Sequence, residues 1–132
     1  MRNPEEQSRR WFKQAEYDLA QARKVFSAGD FSYACFFAEQ ASQKALKARL
    51  ISQGDRFINI HSIAELLKKN SLKEKRFEAL VETGKKLDLY YLSSRYPDAL
   101  PEPAIPYESY TQMDAAEAVD IAEKILELCR KP

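Results

Sequence analysis

Ala34, Ala38, Ala41, Ala45 and Ala48 recur at alternating spacings of four and three residues, which places them along one side of a single α-helix. A seam of methyl groups lets neighbouring helices approach closely, because the distance between helix axes follows the side chains at the contact. The flanks of the same segment carry Phe31, Cys35, Phe36, Phe37, Leu46, Leu50 and Ile51. A helix that is apolar nearly all round is buried on several sides. The segment from Asp30 to about Ser52 therefore predicts a central helix with others packed around it.

Composition agrees with a helical bundle. Only three Gly and six Pro in 132 residues leave room for long helices, and no alternating apolar pattern marks a strand. End signals bracket five helices. Asn3 before Pro4, Glu5 and Glu6 reads as a cap, a Pro at the first helical position and acids facing the helix dipole. That first helix runs to Gly29, a residue suited to the left-handed stop. Asp30 caps the second, and Gln53-Gly54-Asp55 is its exit. Ser62 with Glu65 and Ser71 with Glu74 have capping-box spacing, opening a short third helix and a long fourth one. Pro97 ends the fourth near Arg95 or Tyr96. Thr111 with Asp114 opens the fifth, and residues 97–110, with four prolines, read as an extended loop. The expected fold is an all-α, antiparallel up-and-down bundle of four long helices plus a short one, spanning residues 1–132 as one domain.

Several function classes are excluded. With 21 basic and 20 acidic side chains the net charge is +1, which rules out a protein that coats nucleic acid through bulk positive charge. The charges are unevenly placed, however. Residues 40–76 carry a local +6 and residues 98–132 a local −5, so a local phosphate site stays open and the acidic end is free to meet the basic middle within the bundle or across a dimer. No run of about 18 apolar residues is present, and the first residues, from Met1 and Arg2, lack the apolar stretch of a secretory signal, so a cytoplasmic protein without membrane contact is expected. Cys35 and Cys129 lie far apart among apolar residues and read as small buried hydrophobes. Neither a metal nor a cofactor is expected, since no phosphate-cradling Gly loop, paired-acid metal motif or nucleophile–base signature is present.

Polar residues interrupt two apolar stripes. In the first helix the inward stripe reads Trp11, Ala15, Asp18, Ala22, Val25; in the fourth it reads Phe77, Val81, Gly84, Asp88, Tyr91, Arg95. A carboxylate taken out of water must be paired or protonated, and Gln40, Lys44 and Lys47 share one face of the second helix while Arg95 follows Asp88. One reading is interhelical ion pairs that fix register. The other is a polar cleft in which Lys44, Lys47 and Arg95 bind a phosphate-bearing ligand and Asp18, Gln40 and Asp88 orient them. Tyr90, Tyr91, Tyr96, Tyr107 and Tyr110 cluster late in the chain, where they either cover a core edge or stack on bases.

The segments Trp11 … Ala15-Glu16-Tyr17-Asp18-Leu19 and Gly29-Asp30-Phe31-Ser32-Tyr33-Ala34, then Ala38-Glu39-Gln40-Ala41-Ser42-Gln43-Lys44-Ala45-Leu46-Lys47, His61-Ser62-Ile63-Ala64-Glu65-Leu66-Leu67 and Ser94-Arg95-Tyr96-Pro97-Asp98 resemble, in order and spacing, the signatures of HEPN domains. The resemblance implies an all-α bundle, commonly a homodimer, tied to nucleotide or RNA chemistry and often acting with a minimal nucleotidyltransferase in toxin–antitoxin fashion. It also implies, for some members, a metal-independent ribonuclease with an Arg, four to six residues, and a His near the last long helix. Here that spacing is met once, by Arg56-Phe57-Ile58-Asn59-Ile60-His61, in the connector before the third helix. Three readings follow: a non-catalytic binding module using Lys44, Lys47, Arg95, His61 and Asp98; a ribonuclease centred on His61 with Arg95 or Arg56; and a purely structural helical dimer.

Overall fold

A computed structural model describes residues 3–56 and 58–132; Met1, Arg2 and Phe57, which belong to the N-terminal and Arg56–His61 readings above, lie outside the described residues. Among the described residues the chain is helical without strands. The elements are α1 (Pro4–Ser27), α2 (Phe31–Ser52), α3 (Ile63–Ser71), a 3-10 segment (Lys75–Leu80), α4 (Val81–Asp88), α5 (Tyr90–Ser93), 3-10 turns at Pro97–Ala99 and Pro106–Glu108, and α6 (Gln112–Arg130).

Local signals set most boundaries. The Asn3 side chain accepts from the N–H groups of Glu5 and Glu6 at 2.9 and 3.4 Å and starts α1. Gly29, at φ +82°, ends it, with its N–H bonded to Phe26 O and that of Asp30 to Val25 O, a left-handed stop that satisfies the last carbonyls. The reversal sets α2 antiparallel to α1. Gly54 at φ +105° ends α2 in the same way. Thr111 and Asp114 exchange both bonds of a capping box at the head of α6. At Ser62 only half of the box forms, its hydroxyl accepting from Glu65 N at 3.2 Å. Asp30, in contrast, stands at the head of α2 without a side-chain capping bond.

α2 is central. Ala34, Ala38, Ala41 and Ala45 are fully buried, facing the equally small Ala15 and Ala22 of α1 and Ala115, Ala118 and Ala122 of α6. α2 packs most extensively on α1 and next on α6. Leu19, Leu46, Leu66, Phe77, Ile125 and Leu126 fill the remaining core, each worth about 2 kcal/mol or more for leaving water. Cys35 and Cys129 are free, buried thiols, pushed up to about 12 by burial and so unreactive. Among the described residues no helix is long and apolar enough to cross a membrane.

The fourth helical stretch departs from the expected single long helix. The Ser71 hydroxyl turns back to Lys68 O, and the Glu74 carboxylate, instead of completing a capping box, is gripped by Arg49 of α2 at 2.6 and 2.8 Å, by Gln53 and by Arg76. With no side chain satisfying its first donors, the stretch begins as 3-10 helix, swings Phe77 into the core, and becomes α-helical only from Val81. It breaks again at Leu89 before the single turn Tyr90–Ser93. The loop after it is likewise folded into two short 3-10 turns rather than extended throughout.

α3 rests on α4 at Gly84, where an added Cβ would lie 2.5 Å from Leu67 Cδ1 and 3.1 Å from Ile63 Cγ2, both on fully buried side chains. Gly84→Ala gains about 1 kcal/mol of helix propensity and loses roughly 1–3 kcal/mol to overpacking. Urea unfolding is expected to show a net loss of about 1 kcal/mol; a stabilised variant would mean that α3 yields at this contact.

Candidate anion-binding site

Beside its alanine seam α2 carries a polar stripe, Glu39, Gln40, Gln43, Lys44 and Lys47, whose three- and four-residue spacings keep the side chains near one another. The structure divides the expected cleft in two. On the α1 side, Lys44 Nζ meets Asp18 Oδ2 at 2.6 Å, and Gln14 donates to the other oxygen at 3.0 Å. Asp18, only 7% exposed, is thus matched as its place on an apolar stripe requires. Lys47 is buried too, its Nζ 5.8 Å from the centre of the Trp11 ring. Burial lowers its pKa, and the charge of Glu39 opposes that shift.

On the far side, Arg95 and His61 gather around Tyr91. The Arg95 guanidinium lies 4.0 Å from the ring centre of Phe36, 4.8 Å from that of Tyr96 and 5.5 Å from that of Tyr91. Nη2 donates to Tyr91 O at 2.6 Å, while the buried Nε has no hydrogen-bond partner among the described residues. Among the described residues Arg95 forms no ion pair. A guanidinium stacked on rings keeps its charge and a planar edge of donors without a carboxylate to neutralise it. The His61 ring is parallel to Tyr91 within 10°, at 5.8 Å, and its Nδ1 is 3.3 Å from Gln43 Oε1. Lys44 and Lys47 make no direct contact with this pair. Asp98, exposed on the turn after Tyr96, forms no hydrogen bond or ion pair among the described residues.

Asp88 has a different partner from the one its stripe suggested. It accepts from Ile63 N at 2.5 Å, Ala64 N at 3.2 Å and Ser62 Oγ at 2.9 Å, sealing the head of α3. The unpaired N–H groups of a helix terminus supply the positive end that a lysine or arginine was expected to supply. Asp88 therefore orients α3, not Arg95.

Glu39 lies beside the candidate site although no apolar stripe marked it. It is fully buried and accepts from Gln40 Nε2 at 2.8 Å and Gln43 Nε2 at 2.9 Å, with no ion pair among the described residues. Burial raises its pKa to about 7; the two amides and Arg95 pull it down, and Asp88 pushes it up. Its signal was its place one residue from the seam, three after Phe36 and four before Gln43. The tyrosines divide as well: Tyr90 packs edge-on against Tyr110 at the core, whereas Tyr96 and Tyr107 are exposed. Among the described residues no group of His, Cys, Asp or Glu is arranged to hold a metal.

The fold and the polar stripe define a class: a small all-α bundle in which an arginine–aromatic cage and a histidine meet beside the central helix. The HEPN domain model matches residues 8–131, and the chain belongs to the HEPN family. The chain is 30% identical to Putative toxin MJ1304 of Methanocaldococcus jannaschii, over 91% of this chain and 84% of that one. Among solved structures it is similar to TT1696 from Thermus thermophilus (40% identity, TM-score 0.83, 92% and 94% of the two chains). It is also similar to ST0689, described as an archaeal HEPN homologue (38% identity, TM-score 0.74, 98% and 97%).

Glu39 has a measurable signature. Its folded pKa near 7 exceeds its ordinary value of 4.5, so the folded state holds the proton more tightly and stability falls as pH rises between those values. The full difference is on the order of 3 kcal/mol. Glu39→Gln keeps the shape without the charge and is expected to remove this slope, as read by unfolding at pH 5 and pH 8; an unchanged slope would place the titration elsewhere.

Proposed function

We propose that this chain is a HEPN binding module that takes a phosphate-bearing ligand, a nucleotide or an RNA end, at Arg95 without performing chemistry on it. The observation that carries this reading is the guanidinium held between Phe36, Tyr96 and Tyr91 with no carboxylate partner among the described residues. Such a group offers charge and paired donors to phosphate oxygens, and the flanking rings offer faces to a base. His61, exposed and stacked on Tyr91, adds a second donor at the rim. The module acts as a homodimer and with a minimal nucleotidyltransferase, as the family resemblance implies. Tyr33 and Phe37 support the dimer: their stacked rings lie next to Phe36 at the outer end of α2, with Tyr33 exposed. A second copy seated there borders the Arg95 site.

Isothermal calorimetry with nucleoside triphosphates and with short 5′-phosphorylated RNA tests this reading. Binding of the nucleoside triphosphates is expected to weaken at least tenfold in Arg95→Ala and to be little changed in Asp98→Ala. Silence with every ligand, or an unaffected Arg95→Ala, would refute it.

The toxin name carried by the archaeal relative favours a second reading, a metal-independent ribonuclease. His61 would take the proton of an RNA 2′-OH as its oxygen attacks the adjacent phosphorus, the P–O5′ bond would break with the departing 5′ oxygen protonated by water, and Arg95 would stabilise the charge gathered on the phosphate. RNA with 2′,3′-cyclic phosphate ends, made by the pure protein in chelator and lost in His61→Ala, would replace the first reading with this one.

A further inference from the structure

α1 carries an open groove that the Arg95 site does not use. Arg10, Trp11, Lys13 and Tyr17 of α1 and Lys44 of α2 line it. From Arg10 to Tyr17 the helix rises about 10 Å, enough to contact more than one unit of an extended chain. Trp11 was expected to point into the core; instead its half-buried ring forms a wall of the groove, with Lys47 Nζ near it. Tyr17 is 60% exposed, although it is large and aromatic.

The charges in this groove are unevenly matched. Lys44 is neutralised by Asp18. Arg10 forms no ion pair among the described residues, its guanidinium donating to the neutral amide of Gln7 at 2.8 Å. Lys13 forms no hydrogen bond or ion pair among the described residues. Of the nearby acids, Glu16 pairs with Arg130 and Glu6 pairs with Arg9, the charges of Arg10 and Lys13 acting on Glu6 only at longer range. Two cations with no ion pair among the described residues therefore stand beside two aromatic side chains on one side of a helix. Acidic peptides need only the cations. A single-stranded nucleic acid uses both features, its bases stacking on rings and its phosphates meeting the positive charges.

We propose that this groove binds a single-stranded oligonucleotide, a base lying against Trp11 or Tyr17 and the adjoining phosphates on Arg10 and Lys13. The inference shares only the ligand's chemical class with the Arg95 reading and uses different residues, so each can fail without the other.

Trp11 is the only tryptophan in the chain, and its emission reports this groove alone. The full chain is titrated with a ten-nucleotide oligoadenylate, as RNA and as DNA, and with polyglutamate of equal charge. Saturable quenching by either oligonucleotide is expected, with polyglutamate at least tenfold weaker; the RNA and DNA arms show which backbone is preferred. Arg10 and Lys13 are exposed, so the Arg10→Ala/Lys13→Ala double variant retains the fold. It is expected to bind about tenfold more weakly and to lower the slope of log affinity against log salt by about 1.4. Arg95→Ala is expected to leave the quenching intact. Absent quenching, equal binding of polyglutamate, an unaffected double variant, or loss of quenching in Arg95→Ala would each overturn the proposal.

Discussion

Close approach at the alanine seam is the constraint on which the rest of the structure depends. Because Ala34, Ala38, Ala41 and Ala45 present only methyl groups, α1 and α6 both lie close against α2. The polar side chains that α2 carries beside the seam are then drawn partly out of water, and each needs a partner or a changed charge state. Asp18 answers Lys44 across the α1 interface, the Gln40 and Gln43 amides hold Glu39, and Asp88 is taken up by the head of α3. Among the described residues Arg95 finds aromatic rings and a backbone carbonyl but no carboxylate in ion-pair contact. That cation, without an ion pair among the described residues, makes the cluster around Tyr91 the candidate site.

Features governed by residues a few positions apart were legible in the sequence. The Asn3 and Thr111 caps, the Gly29 and Gly54 stops and the central place of α2 follow from short-range spacing, and the structure has them all. Ser71 with Glu74 has the same spacing as a working box, yet Glu74 answers to Arg49, 25 residues away. No local pattern distinguishes a carboxylate free to cap from one claimed by another helix. Asp88 teaches the same lesson from the other side, since its partner is a helix terminus, a positive group that no residue type announces.

The site was legible as a list of residues but not as a place. The structure sets Lys44 and Lys47, which the stripes put on one face with Arg95 as possible partners, against α1, and it sets Arg95 and His61 around Tyr91. Trp11 looked like a core residue because it shares the period of Ala15 and Ala22; as the outermost member of that stripe it lies at the rim. The charge asymmetry resolves similarly. Of the α6 acids, Glu123 pairs with Arg23 of α1, Glu117 with Lys86 of α4 and Asp120 with Lys124 of α6 itself, while in the basic stretch 40–76 Arg49 and Arg76 share Glu74 and Lys68 and Lys69 meet Glu65 and Asp55. Lys44 and Lys47 thus remain apart from the acidic end of the chain.

In the proposed function Arg95 is the group that meets a phosphate. Nitrogen-15 NMR of the arginine side chains, recorded as a nucleoside triphosphate is added, observes that group directly. A shift of the Arg95 guanidinium resonances that saturates together with shifts at His61 and Tyr91 is the predicted result. Saturable binding that leaves the Arg95 resonances where they were would contradict it.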